Sequence, residues 1–185
     1  MSITRTLVED AAVQDTAASP SRVEGEEGAS AVEFALVVPL LLLLLFGIID
    51  FGVLFGQNLA INNAARDGAR YAVVRQIDGS PARSCYQVLS RTRAASQAVA
   101  LDPNDVGVTV TLNGTTVCSV AAGAPLPASA NTAALQKAPC QGSVSGVSDQ
   151  LVVRTTHESR LVVPIFGPAT IGLTGEGFFR CEYSG

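Results

Sequence analysis

Residues 28–56 read GASAVEFALVVPLLLLLLFGIIDFGVLFG, and their reading decides the architecture of the chain. Small residues, Gly28, Ala29, Ser30 and Ala31, lead to Glu33, a carboxylate at the very edge of an apolar run that begins at Phe34. Placing an ionised carboxylate in hydrocarbon costs several kcal/mol, so an acid here marks function by default. From Phe34 to Gly56 the only charge is Asp50. At about 1.5 Å per residue the part through Ile49 rises about 24 Å, and the whole run crosses about 30 Å of bilayer core with some tilt. A cleaved secretory signal wants a basic start, a shorter core and a small-residue cut site after it. Here the start is acidic and no such site follows the leucines, so the segment is expected to be a retained transmembrane helix. Pro39 lies inside it and forfeits the bond to the carbonyl of Ala35, which membrane helices tolerate better than soluble ones.

Charge divides the chain around this segment. Residues 1–28 carry Glu9, Asp10, Asp15, Glu24, Glu26 and Glu27 against Arg5 and Arg22, which leaves the rest of the chain neutral. A polar, Ala/Ser-rich stretch without apolar periodicity cannot bury enough surface to fold, so residues 1–28 read as a disordered leader. The net charge of -4 offers no electrostatic footprint for nucleic acid. All four cysteines, Cys85, Cys118, Cys140 and Cys181, follow the apolar segment, and none form a CxxC pair. With one histidine, His157, they do not complete a usual zinc set; an even count on one side of a membrane segment favours disulfides in an oxidising compartment. Arg22 lies near one end of the segment and Arg66, Arg70 and Arg75 near the other, a bias that taken alone puts the C-terminal part inside the cell.

Beyond the membrane the helix is expected to continue through residue 77. Gly52, Gly56, Ala60, Ala64, Gly68 and Ala72 recur every four positions, forming a ridge that lets another helix approach closely. After Asp78-Gly79-Ser80-Pro81, residues 84–100 read as a second helix with Val88, Leu89, Thr92, Ala95 and Val99 on one face. Val106, Val108, Val110 and Leu112 alternate as in a half-buried strand, and Asn113-Gly114 turns it into a hairpin through Val117. Residues 119–149, rich in Ala, Ser, Gly and Pro, read as a long loop. Residues 150–158 and 160–166 read as two strands or one bent strand, a short turn follows Gly167-Pro168, and 176–183 form the last strand. Joining Cys118 to Cys140 would close the loop for roughly 3 kcal/mol on a chain-entropy estimate and leave Cys85 to Cys181, although the count allows three connectivities. The fold class is α+β and membrane-anchored. A long N-terminal transmembrane helix (29–77) carries a head (78–185) of one helix and an antiparallel sheet of three or four strands.

The dense run from Gly28 to Val74, with Val-Glu-Phe-Ala, the following Pro39, Asp50-Phe51-Gly52 and Asn-Ala-Ala-Arg-Asp-Gly-Ala-Arg-Tyr, resembles the TadE-like proteins. These are pseudopilins of the tight-adherence (Flp pilus) assembly machinery. The resemblance implies cleavage between Gly28 and Ala29 by a prepilin peptidase. It makes Glu33 the fifth residue of the mature chain, with Phe34 and Pro39 completing the processing and assembly signal. Glu33 could then pair with the free amine of Ala29 on its own or a neighbouring subunit, partly offsetting two charges in lipid. The implied partners are the membrane, the peptidase, other pilin-like subunits and components of pilus assembly and secretion. The implied location is a bacterial cell membrane, single-pass, with the head outside the cytoplasm.

No enzyme is expected. His157 lies in a polar strand, no nucleophile elbow accompanies it, and Gly47, Gly52 and Gly56 belong to the apolar helix rather than to a phosphate loop. No cofactor is expected. Besides the pilus role, the residues fit a single-pass membrane protein whose exported head binds an envelope or extracellular ligand without entering a filament.

Overall fold

The computed structural model describes residues 26–74, 83–98, 101–126, 133–140, 149–161 and 169–181. Its elements are helix α1 (Glu26–Val73), helix α2 (Cys85–Ala95), a 3-10 turn (Pro103–Asp105), strands β1 (Gly107–Leu112) and β2 (Thr115–Val120), a one-turn helix α3 (Ala133–Gln136), and strands β3 (Gln150–Arg160) and β4 (Thr170–Arg180). The four strands form one antiparallel sheet in the order β2-β1-β3-β4. The fold is therefore α+β, with a long apolar N-terminal helix and a four-stranded sheet.

Local chemistry sets most boundaries. Ser84 starts α2 with a capping box: its hydroxyl accepts from the Gln87 amide while the Gln87 side chain accepts from the Ser84 amide. The β1–β2 hairpin turns at Asn113 and Gly114, both at positive φ (49° and 80°), as a two-residue turn matched to strand twist demands. Asn113 also donates to the Asp149 carboxylate at 2.5 Å and accepts from the Gln150 amide, fastening the turn to the start of β3. The register of β1 on β2 shifts between Val110 and Thr111, leaving Val117 as the extra residue.

One face of the sheet is the core face. Val108, Val110, Cys118, Val120, Leu151, Val153 and Thr155 are buried on it, and α2 covers β1 and β2 with Cys85, Val88, Leu89 and Thr92. The C-terminal half of α1 covers β3 and β4: the Thr155 hydroxyl donates to the carbonyls of Ile61 (3.0 Å) and Gly175 (3.3 Å). The opposite face carries Arg154, Thr156, Glu158 and Arg160, all exposed, with Arg154 ion-paired to Glu176 across the strands at 2.5 Å.

The structure corrects several expectations. The disulfides join Cys85 to Cys118 and Cys140 to Cys181, not Cys118 to Cys140 and Cys85 to Cys181. On the chain-entropy model the two arrangements differ by less than about 1 kcal/mol, so loop length cannot choose between them. Geometry does: β2 points Cys118 into the core face beneath α2, whose first residue is Cys85, and Cys140 follows α3 toward the end of β4. The second helix stops at Ala95 rather than 100, with Ser96 bonding back to the Arg93 carbonyl. β2 reaches Val120, and α3 lies inside the span expected to be all loop. β3 runs unbroken from Gln150 to Arg160, residues 162–166 of the expected second strand and Gly167-Pro168 lie outside the described residues, and β4 begins at Thr170, where a turn was expected. Val99, residues 75–82 at the expected end of the long helix, residues 1–25 of the leader, and Tyr183 lie outside the described residues.

Candidate functional site

The long helix begins at Glu26, so Gly28 and Ala29 stand in its first turns and are exposed. No neighbour lies within 4 Å of where a side chain on Gly28 would sit. Glu33, Phe34 and Pro39 are exposed, and the helix continues through the proline without a break in its assignment. Glycine at position 28 costs a helix about 1 kcal/mol relative to alanine, which weakens the turn containing the Gly28–Ala29 bond. The chain divides into two compact units, one ending at Leu41 and one beginning at Leu42. The sheet's unit begins inside α1 because the second half of that helix supplies part of its core.

Burial along α1 starts abruptly. From Leu42 to Ile49 every residue is exposed, whereas Asp50 is only 8% exposed. From there one face is covered: Asp50, Val53, Leu54, Gln57, Ala60, Ile61, Ala64, Ala65, Gly68, Ala69 and Ala72, at helical spacing, are buried or half-buried. Asp50 and Gln57 each engage another group of the chain. The other face stays bare: Phe51 (71% exposed) and Phe55 (62%) stack with ring centroids 6.5 Å apart, and Leu59 continues the row.

The small-residue stripe is therefore divided between two tasks. Ala64, Gly68 and Ala72 are buried within the chain's own head, Ala60 is half-buried, and Gly52 and Gly56 are exposed with open space above them. A methyl on Gly68 would run into the Thr92 hydroxyl of α2. Beside this contact Asp67 accepts from Arg91 at 2.8 Å, which holds the Arg91 guanidinium above its usual pKa through that hydrogen bond and the carboxylate charge. The sequence reading missed Gly175 and Gly177 of β4. A side chain on Gly175 would stand 2.7 Å from the Ile61 carbonyl, and one on Gly177 would strike the Ala65 carbonyl. Glycine inside a strand often marks close backbone approach, and Gly175-Glu176-Gly177 carried that signal.

Two residues per strand step advance about 6.6 Å and four per helix step about 6 Å, so β4 and α1 stay in register and run in the same direction. Gly175 meets Ile61 and Asn62; Gly177 meets Ala65 and Arg66. Toward the other end, Val53 and Gln57 line an open groove of about 850 Å³ together with His157, Ser159, Gly172 and Leu173. His157 lies in it, 8% exposed, with Nδ1 3.2 Å from the Asp105 carbonyl.

Among the described residues one helix, from Gly28 to Val73, is long and apolar enough to cross a membrane, with a mean hydropathy of 2.8 in its most apolar window, none of which is buried. No curated protein and no solved structure matches the chain. A family model does: the model described as TadE-like protein matches residues 28–70, from the glycine before the proposed cut to the arginine near the end of α1. The match falls on the bare apolar helix and its junction with the head, the stretch that the sequence motifs had singled out as similar to TadE-like proteins.

Proposed function

We propose that the chain is a minor pilin-like subunit, a pseudopilin, of tight-adherence (Flp) pilus assembly. It is anchored in the bacterial membrane by α1 and carries its head outside the cytoplasm. The observation that supports this best is the coincidence of the TadE-like match with the helix, whose residues from Gly28 to Ile49 stand almost wholly exposed. A prepilin peptidase cuts between Gly28 and Ala29, and Glu33 offsets the new amine of Ala29 within the assembly. Phe34 and Pro39 belong to the same signal, while Gly52 and Gly56 remain available to neighbouring helices. The partners are other pilin-like subunits and the assembly complex.

Mass spectrometry of the membrane-purified chain tests the cut. The expected mature chain starts at Ala29, and replacement of Gly28 by a bulky residue (Gly28→Leu) is expected to abolish the cut. A chain that still starts at Met1 or Ser2 in a host bearing the peptidase would instead favour an uncut anchor. For that second reading the groove around His157 offers the ligand-sized cavity.

A further inference from the structure

We propose that the head is seated in the bilayer surface. The end of the sheet where β3 finishes at Arg160 and β4 starts at Thr170 rests in the phospholipid headgroup layer on the head's side of the membrane. This placement rests on the reading of α1 as a membrane span.

Three observations lead to it. A hydrocarbon core of about 30 Å takes about 20 helical residues. Counted from Phe34, just past the edge acid Glu33, those residues end near Val53, so Asp50 falls about one turn inside the hydrocarbon boundary. Yet Asp50 is covered by the folded chain at that level, while Phe51 and Phe55 on the other side of the same turns are open. An acid at that depth is tolerable when protein rather than lipid surrounds it. The head must therefore reach down one side of the helix as far as Asp50, leaving the aromatic side to lipid.

The shared direction of β4 and α1 identifies which end of the head this is. Gly177 lies beside Ala65 and Gly175 beside Ile61, and Leu173 lines one groove with Val53 and Gln57. The beginning of β4 is thus the membrane-proximal end, and the Asn113-Gly114 turn beside Gln150 is the distal one. The surface chemistry agrees. Ile171 is 39% exposed, Thr170 and Gly172 are exposed, and the described residues from Ala169 to Gly175 carry no charge. Arg160, exposed and paired with Thr170 across the strands, supplies a cation for lipid phosphate.

The chain has no Trp, so a single introduced one reports its own surroundings. Full-length Ile171→Trp, Leu44→Trp and Thr116→Trp, each checked for both disulfides by mass, are placed in vesicles of phosphatidylethanolamine and phosphatidylglycerol with or without brominated acyl chains. Thr170→Trp replaces Ile171→Trp if the latter does not form its disulfides. Leu44→Trp should be strongly quenched and Thr116→Trp, at the distal end, unaffected. Ile171→Trp should lose about half its emission to bromine, as a ring buried about 5–10 Å into the interface would. If Leu44→Trp is quenched while Ile171→Trp behaves like Thr116→Trp, the head stands clear of the bilayer and the inference is overturned with the span intact. A blue-shifted but unquenched Ile171→Trp would mean that protein covers the site, which also overturns it. An unquenched Leu44→Trp removes the membrane span itself.

Discussion

At Gly175 and Gly177 a hydrogen atom in place of a methyl lets a strand touch the backbone of α1. Because the obstructing atoms are mostly backbone, the Ile61 and Ala65 carbonyls and the Cα atoms of Asn62 and Arg66, with the buried Thr155 hydroxyl also 2.7 Å from the Gly175 position, neither Gly175→Ala nor Gly177→Ala can be absorbed locally. Each is expected to destabilise the head by about 1–3 kcal/mol, the range of overpacked cores. Gly172, with nothing within 4 Å, is the control: Gly172→Ala should stay within about 0.5 kcal/mol, and thermal unfolding of the detergent-purified chain separates the two outcomes. Arg93 is the other decisive single residue. It is 2% exposed and donates to the carbonyls of Val106 (2.9 Å), Ala124 (2.7 Å) and Ala121 (2.8 Å), tying α2 to both ends of the β1–β2 hairpin. Burial holds its pKa below the usual value, with Asp102 and Asp105 pulling the other way, and it still keeps its proton at neutral pH. Arg93→Ala strands three carbonyls and should cost at least about 2 kcal/mol, and Arg93→Lys should not restore it because an ammonium cannot reproduce the fork. Only one of these two features was hidden in the sequence. Arginine at position 93 reads as a solvated helix residue until the fold wraps carbonyls around it, whereas the strand glycines did carry a signal.

Among the elements, legibility follows how local the cause is. The apolar helix, the Asn113-Gly114 hairpin and the alternating β1 were readable because each is set by residues within a few positions. The extent of β4 was not, since Thr170-Ile171-Gly172-Leu173-Thr174-Gly175 has no clear period and is held as a strand by eleven pairings to β3. The cysteine pairing was equally hidden, because it depends on which face of β2 Cys118 occupies, and sequence separation is blind to that. Peptide mapping of the unreduced chain should recover Cys85 linked to Cys118 and Cys140 linked to Cys181, with no Cys118–Cys140 peptide. Replacing both partners of either bridge with alanine should lower stability by about 3–4 kcal/mol, as expected for loops of this length. For α1, the every-fourth small stripe was seen in sequence, but only its exposed half, Gly52 and Gly56, is open to another molecule. The buried half, Ala64, Gly68 and Ala72, closes the chain's own core.

For the whole molecule, the positions of Arg66 and Arg70, which flank the span on the head's side, oppose the exported orientation proposed above. The bias of Lys and Arg governs short flanking loops; long domains are translocated largely regardless of charge. Here the described residues after Asp50 belong to one compact unit: Arg66 and Arg70 ride on a helix whose other face is packed into the sheet, and the adjacent Asp67 is paired with Arg91. In the proposed orientation such arginines would be carried across with their domain. The disulfides point the same way, because both bridges persist in an oxidising compartment and are rare where glutathione keeps thiols reduced. The two orientations give opposite results in one measurement. Cells are quenched in acid, the chain is denatured, and free thiols are tagged with a mass-shifting maleimide, with and without prior reduction. An exported head should take up no tag without reductant and one on each of Cys85, Cys118, Cys140 and Cys181 after it. A head facing the cytosol would be tagged at all four without reductant, and the pilin-like orientation would then be wrong however well the helix matches.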